Sequence, residues 1–350
     1  MGSSFPRFGP PEWALNSEGH SLHERIAMSL VRADQLEIDG AELGRIAEQF
    51  GLRTLEPLGG YENLLFRSTD PTGVVMRITH TSRRNVEQIA AEFEFLEHLA
   101  KRGAPVIGPV HSTDGKLVVE WTTEKGELVL IAAMTEAPGA FKTPTDWTLD
   151  DFETYGRTLA QLHDAAEDFE PSCDAHRRPP WFNPQFDPGF GDDPLRPRFE
   201  LIIERARKLP AGGSGLLIHQ DAHHGNLFFT DEGQITVFDF DDCGYGTVTH
   251  DLAICLFYRF FGKEDVDLDA LRAFTQPFLR GYREVRALPE DWPRGVDEFL
   301  SLREVELLFL MQSISDLRPI HERFIERGMK NVREDLPYLG WAAEEWAGEG

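Results

Sequence analysis

Residues 216–242 read LLIHQDAHHGNLFFTDEGQITVFDFDD. Short apolar runs flank each polar cluster, and residues 230–233 have the composition of a turn between two of those runs. This pattern predicts short buried strands joined by polar loops. The loops carry His219, Asp221 and Asn226 in close succession, and Asp239 follows the second strand.

The order and spacing of these polar residues are typical of phosphoryl transfer. His-x-Asp, an Asn five residues after that Asp and a later Asp closing a strand match the catalytic loop and metal-binding Asp of kinases. The reaction needs a carboxylate near the acceptor hydroxyl and hard oxygen ligands for Mg²⁺. We therefore predict Asp221 as the catalytic base and Asn226 and Asp239 as Mg²⁺ ligands.

Further segments give the chain a resemblance to the aminoglycoside phosphotransferase and choline kinase superfamily, especially its homoserine kinase type II-like branch. In the family's order they are LGGYEN at 58–63, VMRI at 75–78, AAEFE at 90–94, GRTLAQLH at 156–163 and HDLA at 250–253. The resemblance covers residues 52–260. It implies an α+β, bilobal protein-kinase-like fold with a sheet-rich N-lobe and a helical C-lobe.

The resemblance also implies roles for residues of the nucleotide lobe. Gly59 and Gly60 form the turn over the nucleotide, Arg77 is the cation that contacts the phosphates, and Glu92 is the helix carboxylate that pairs with it. Relatives and protein kinases usually have Lys where this chain has Arg77. Arginine can bind phosphate bidentately, so the exchange is not conservative.

A hinge is expected at residues 134–139, where Met134 and Glu136 would meet the adenine of an ATP lying between the lobes. The predicted domains are an N-terminal extension with helices at 1–50, a nucleotide-binding N-lobe at 51–137 and a helical catalytic and substrate lobe at 138–350. One of the extension's helices is predicted at residues 22–32, where leucine and isoleucine recur at helical spacing.

Three further residues of the motif region have supporting roles in this interpretation. We expect His219 to fix the loop by hydrogen bonds, and Asp251 to buttress the catalytic loop as its counterpart does in the family. Asp241 is a further candidate metal ligand or a solvated carboxylate. Gln220 stands where the superfamily often has Gly and protein kinases have Arg, which argues against regulation by a phosphorylated loop.

The amino-acid composition limits the kinds of molecule that the protein is expected to bind. Sixty acidic side chains against 35 basic ones give a formal net charge of -25, which disfavours nucleic acid and anionic membranes. Three cysteines without a CxxC pair favour a reducing compartment. Because neither a secretory signal nor an apolar run of about 20 residues is evident, we expect a cytoplasmic protein. The sequence does not indicate its oligomeric state.

The predicted function is ATP-dependent transfer of the γ-phosphate to a hydroxyl of a small metabolite or antibiotic. An amino group on this acceptor is suggested by the family, by the acidic excess and by the acidic segment at residues 264–269. Three alternatives stay open: a serine/threonine protein kinase, a nucleotide-binding pseudokinase and a metallohydrolase using the histidines at 219, 223 and 224. The last lacks an HExxH motif and a cysteine partner.

Overall fold

The computed structural model describes residues 36–60, 63–69, 73–181, 196–208, 215–261, 266–289 and 292–313, with Lys330 and Leu339. The helix predicted at residues 22–32 lies outside the described residues. Contacts divide the chain into two compact units. The first comprises residues 1–86, 110–135 and 309–325, and the second comprises residues 87–109, 136–308 and 326–350.

The described residues form seven α-helices and ten strands. In chain order they are α1 (Gly40–Glu48), β1 (Leu55–Gly59), β2 (Leu64–Ser68), β3 (Val74–His80), α2 (Val86–Lys101), β4 (Pro109–Val110), β5 (Val119–Thr122), β6 (Leu128–Thr135), α3 (Leu149–Ala165), α4 (Arg196–Lys208), β7 (Leu216–Ile218), β8 (Leu227–Phe229), β9 (Ile235–Val237), β10 (Gly244–Gly246), α5 (Val248–Phe260), α6 (Leu268–Arg283) and α7 (Trp292–Ser313).

The first unit is built on a six-stranded sheet with the order β1-β2-β3-β6-β4, in which β5 also pairs with β6. Its strands carry apolar residues that face one core, and Met76 and Ile78 of β3 are fully buried there. Helix α1 adds Leu43 and Ile46 to the same core. The end of the predicted N-terminal extension therefore contributes a helix to the core of the sheet.

A buried carboxylate attaches α1 to the sheet. Glu42 is 2% exposed and accepts hydrogen bonds from the Trp121 indole N–H at 3.0 Å and the Glu124 main-chain N–H at 2.9 Å. At the start of the helix, the Asp39 side chain caps the main-chain N–H groups of Ala41 and Glu42. The first contacts satisfy a carboxylate that would be costly to bury alone, and the cap satisfies N–H groups that have no partner within the helix.

The second unit contains the long helices and two small sheets. Helices α3 and α6 pack closely because Gly156 and Gly281 lie at their contact. A Cβ atom on Gly156 would lie 1.8 Å from the Phe278 carbonyl oxygen, and one on Gly281 would lie 1.9 Å from that of Glu153. Only glycine permits this approach of the two backbones.

Helix α2 belongs by its contacts to the second unit, although the predicted N-lobe at 51–137 includes it. The cause is aromatic packing, since the ring of Phe95 lies 5.0 Å from that of Phe169 and 6.0 Å from that of Phe240. The predicted domain bounds stay a prediction.

None of the helices in the described ranges combines the length and apolar character that a membrane span requires.

Candidate active site

The motif at residues 216–242 lies on two antiparallel pairs of strands, β7 with β10 and β8 with β9. The loop after β7 holds His219 and Asp221, and a single 3₁₀ turn at His224–Asn226 leads into β8. The main-chain N–H of Phe238 donates to the carbonyl oxygen of Asn226 at 3.0 Å. This bond ties the end of β9, just before Asp239, to the asparagine.

Asp251, fully buried on α5, holds the start of the loop. Its two carboxylate oxygens accept the main-chain N–H groups of His219 at 2.9 Å and Gln220 at 2.7 Å. His163 donates to the same carboxylate from Nε2 at 3.1 Å and accepts the Tyr282 hydroxyl at Nδ1 at 2.8 Å. Burial alone would raise the pKa of Asp251, but the hydrogen bond from His163 helps to lower it below its ordinary value.

A second anchor holds the loop at the carbonyl oxygen of Ala222. The hydroxyl of Tyr155 donates to this oxygen, and the thiol of Cys255 donates to it at 3.3 Å. Burial raises the pKa of both Tyr155 and Cys255, so neither group ionises at neutral pH. The backbone on both sides of Asp221 is thus fixed by interior side chains of α3 and α5.

Gln220 and Asp239 both have left-handed backbone conformations, with φ of 65° and 66°. The left-handed region costs a residue other than glycine on the order of 1 kcal/mol. The hydrogen bond from the Gln220 N–H to Asp251 offsets this strain. Gly244 leaves room for the glutamine side chain, because a Cβ atom there would lie 2.1 Å from Gln220 Nε2.

Asp221 lies next to Asn226 and between two histidines. The Asn226 side-chain amide donates to the main-chain oxygen of Asp221 at 2.9 Å and to its carboxylate at 3.2 Å. The ring nitrogen Nε2 of His223 lies 3.4 Å from the same carboxylate. The N–H of Asp221 donates to Nδ1 of His219 at 3.2 Å, and Nε2 of His219 donates to the carbonyl oxygen of Phe238 at 3.0 Å.

Arg303, which the sequence interpretation missed, contacts the other oxygen of Asp221. Its Nη2 donates to Asp221 Oδ1 and, at 2.8 Å, to the hydroxyl of Tyr258. Burial alone would raise the pKa of Asp221, but the Arg303 charge and a hydrogen bond from His223 lower it to about 2. No motif surrounds Arg303 on α7, so the sequence carries no signal that would have found it.

Arg178 is a second missed residue, and it braces the segment after Asp239. Its buried guanidinium donates to the carbonyl oxygens of Cys243 at 2.7 Å and Asp241 at 2.6 Å. A third bond, of 3.1 Å, joins it to the carbonyl oxygen of Gln88 in the first turn of α2. Asp239 itself is exposed and lies just beyond the end of β9.

The residues predicted to bind phosphate lie at the end of β1 and just after it, on β3 and on α2. Gly60 has φ of 130°, and a Cβ atom on it would lie 2.0 Å from the carbonyl oxygen of Asn63, so the turn after Gly59 requires glycine. Arg77 on β3 is 5% exposed and Glu92 on α2 is 2% exposed. Both are buried, which excludes the ordinary surface ion pair as an explanation of these charges.

The predicted hinge residues lie at the end of the first unit's sheet and just beyond it. Met134 is half-buried in β6 and pairs in register with Val75 of β3. Glu136 is also half-buried, and the division of the chain into two units falls between Thr135 and Glu136.

The acidic segment at residues 264–269 has an ordinary structural role where it is described. Asp267 caps α6 by accepting the main-chain N–H of Ala270 at 3.0 Å, whereas Glu264 and Asp265 lie outside the described residues.

In the described part of the chain, no group of three or more His, Cys, Asp or Glu side chains is arranged to hold a metal ion. The predicted metal ligands, Asn226 and Asp239, are only two residues, and asparagine is not one of these four types.

Comparison with known proteins connects this geometry to a family. Residues 54–288 match the phosphotransferase enzyme family, APH. The chain belongs to this family. Amicoumacin kinase of Bacillus subtilis (strain 168) is 31% identical over 290 residues, which are 80% of this chain and 85% of that protein. A homoserine kinase of Polaromonas naphthalenivorans (strain CJ2) is 30% identical over 248 residues, 66% of this chain and 72% of that protein.

Two solved structures of small-molecule kinases share the fold. An amicoumacin kinase in complex with AMP-PNP, Ca²⁺ and Ami has a TM-score of 0.77 at 24% identity, covering 91% of this chain and 97% of its own. A microcompartment-associated aminopropanol kinase has a TM-score of 0.66 at 22% identity, covering 85% of this chain and 98% of its own.

These comparisons confirm the predicted family, the α+β kinase-like fold and the class of enzyme, an ATP-dependent small-molecule phosphotransferase. The AMP-PNP and Ca²⁺ are ligands of the solved amicoumacin kinase, and the use of a divalent metal ion by this chain is a proposal. The identity of the metal, the acceptor and the roles of single residues are proposals.

Proposed function

We propose that this enzyme transfers the γ-phosphate of ATP to a hydroxyl of a small acceptor that bears an amino group, with Asp221 as the base. The observation that carries the proposal is the placement of the Asp221 carboxylate beside Asn226, in a loop anchored by Asp251. In phosphoryl transfer, such placement of the reacting groups supplies most of the catalysis.

In the proposed reaction, Asp221 orients the acceptor hydroxyl and accepts its proton as the oxygen attacks the γ-phosphorus. A new O–P bond forms, and the bond from that phosphorus to the β–γ bridging oxygen breaks, so ADP leaves. The proton passes from Asp221 to solvent. Asp221 is ionised at neutral pH because Arg303 and His223 stabilise its charge against burial.

We further propose Mg²⁺ as the metal, held by Asn226 and Asp239. The orientation of Asn226 fits a cation, because its amide nitrogen donates to Asp221 and its oxygen remains the group that can act as a ligand. Asp239 is exposed and adds an anionic oxygen, and Mg²⁺ is usually held by one or two such groups together with phosphates. When bound, the ion would neutralise charge on the transferred phosphate.

Substitution of Asp239 by Ala should weaken Mg²⁺-dependent ATP binding more than substitution of Asn226 by Ala. The carboxylate brings a formal charge to the metal, whereas the amide brings only a dipole. Calorimetric titration of both variants with ATP, with and without Mg²⁺, measures the difference. Small and equal losses would show that the metal is held by other groups.

Substitution of Arg77 by Ala should raise the KM for ATP by about tenfold while affinity for adenosine stays nearly unchanged, because one charge-assisted contact to phosphate is lost. Arg67→Ala is the matched control, since Arg67 is an exposed arginine on the neighbouring strand β2. If only thermal stability fell, with ATP kinetics intact, Arg77 would be a structural residue.

The experiment that tests the proposed function is a coupled assay of ADP release over amino alcohols, hydroxy amino acids, aminoglycosides, sugars and choline-like compounds. We expect turnover with an amino-bearing acceptor. A neutral sugar with a higher kcat/KM than every amine would contradict that part of the proposal. Labelled protein bands after incubation with labelled ATP and lysate, without any small acceptor, would instead indicate a protein kinase.

A further inference from the structure

The turn that follows Asp239 is held by a buried arginine. Residues 240–243 form this turn, and a hydrogen bond of 3.0 Å joins its last N–H to its first carbonyl oxygen. The guanidinium of Arg178, which is 7% exposed, donates from Nη2 to the carbonyl oxygen of Asp241 and from Nε to that of Cys243. Because a guanidinium is planar and rigid, the two bonds together fix the orientation of the turn.

The main chain that carries Arg178 is itself attached to strand β10, directly beyond the turn. The Tyr245 N–H donates to the carbonyl oxygen of Pro179 at 2.9 Å, and the Trp181 N–H donates to that of Tyr245 at 2.6 Å. Pro179 also restricts the residue before it, Arg178, to an extended backbone. The guanidinium therefore approaches the turn from a segment whose position is already fixed.

The same guanidinium reaches helix α2. Its Nη1 donates to the carbonyl oxygen of Gln88 at 3.1 Å, one helical turn before Glu92. Burial raises the pKa of the Cys243 thiol to about 12, while the Arg178 charge opposes this shift and the Glu92 charge adds to it. Both charged side chains thus lie close to one thiol of the turn, so Arg178 connects the turn to the part of α2 that carries Glu92.

Asp239 needs support of this kind because its backbone is strained. Its φ of 66° lies in the left-handed region, and such a conformation persists only where the surrounding structure determines it. On the N-terminal side, the Phe238 N–H is bonded to the carbonyl oxygen of Asn226. On the C-terminal side, the turn is held by Arg178. The exposed carboxylate of Asp239 therefore projects from a backbone that is held before and after it.

We propose that Arg178 is a positioning residue that keeps Asp239 in the conformation that binds Mg²⁺. The inference rests on the proposed function, in which Asp239 is a ligand of the metal. Arg178 acts through the main chain of the turn, so its loss should weaken metal binding without removing a ligand. Loss of a group that orients a metal ligand typically lowers metal affinity by about 10–100-fold.

Calorimetric titration with the ATP analogue AMP-PNP, with and without Mg²⁺, tests the proposal. In Arg178→Met, the ratio of the two affinities should fall by about tenfold, while the affinity without Mg²⁺ stays within about twofold of wild type. A purely structural residue would change thermal stability and leave this ratio as it is. Arg178→Lys keeps the charge but cannot reach all three carbonyl oxygens, so it should restore part of the ratio.

Arg177→Met is the matched control. Arg177 is the exposed neighbour of Arg178, and its guanidinium lies 4.8 Å from the ring centroid of Tyr245. The variant removes an arginine from the same segment, on the same strand, without touching the bonds to the turn. Its ratio of affinities should equal that of wild type.

A double variant shows whether Arg178 acts through Asp239. In the Asp239→Ala background, Arg178→Met should cause no further loss of the Mg²⁺-dependent affinity, because the side chain that it positions is already absent. An equal loss in both backgrounds would mean that the two residues act independently, and it would overturn the inference.

The remaining outcomes are also decisive. An unchanged ratio in Arg178→Met overturns the inference and leaves the proposed metal site intact. If neither Arg178 variant folds while Arg177→Met does, Arg178 serves stability alone, which also overturns it. If Asp239→Ala keeps the full ratio, the proposed metal ligand is wrong, a failure of the proposed function that is seen without any change at Arg178.

Discussion

Asp221→Asn should lower kcat by at least about 100-fold while ATP binding persists. An amide cannot accept the hydroxyl proton, and a positioned base typically contributes about 10²–10⁴-fold to the chemical step. The measurement is steady-state turnover at saturating acceptor, with ATP affinity by calorimetry. Circular dichroism checks the fold, because Arg303 loses one of its charged neighbours in this variant.

Asp39→Asn is the matched control for this substitution. Asp39 caps α1 from the exposed side, and asparagine is an equally good capping residue, so both turnover and stability should remain near wild type. Comparable turnover by Asp221→Asn and the wild type with any accepted substrate would refute the assignment of Asp221 as the base.

Asp251→Asn should lower the free energy of unfolding by about 3 kcal/mol, a value typical of a broken buried charge interaction. The carboxylate accepts three donors, from His219, Gln220 and His163, and an amide offers one oxygen and a nitrogen that would face donors. Urea unfolding at neutral pH measures the loss. A decrease below about 0.5 kcal/mol would show that the loop does not depend on this charge.

The difference in the free energy of unfolding between wild type and Asp251→Asn should depend on pH. The folded-state pKa of Asp251 is below its ordinary value of 3.8, so its contribution is fully present above that value and is lost as the pH falls through the folded-state pKa. The difference in unfolding free energy between wild type and Asp251→Asn should therefore shrink below about pH 4. If the difference is the same at neutral and acidic pH, the charge of the Asp251 carboxylate is not the cause of the lost stability.

The sequence predicts the parts of the site that lie close together in the chain. His219, Asp221 and Asn226 occupy one loop, so their spacing alone brings them near one another. Arg303 lies 82 residues from Asp221, and Arg178 lies 63 residues from Asp241. Their contacts arise from the packing of whole helices and loops, and no local pattern records that packing.

The first residue of strand β5 is also not predicted correctly from the sequence. Turn composition at residues 112–115 favours a strand that begins at Lys116, but β5 begins at Val119. The turn is longer than its sequence indicates, because Ser112 and Lys116 bond to each other through both main-chain and side-chain groups. Lys116 therefore closes the turn instead of opening the strand.

The anchoring of the catalytic loop from the protein interior separates two kinds of evolutionary change. Tyr155 and Asp251, which His163 holds in place, fix the backbone of the loop. Arg303, which also contacts Tyr258, binds the carboxylate of Asp221. Substitutions at Arg303 change the charge around Asp221 and leave the anchors of the loop backbone in place. Such a scaffold allows the surroundings of the base to change one side chain at a time while the loop keeps its position.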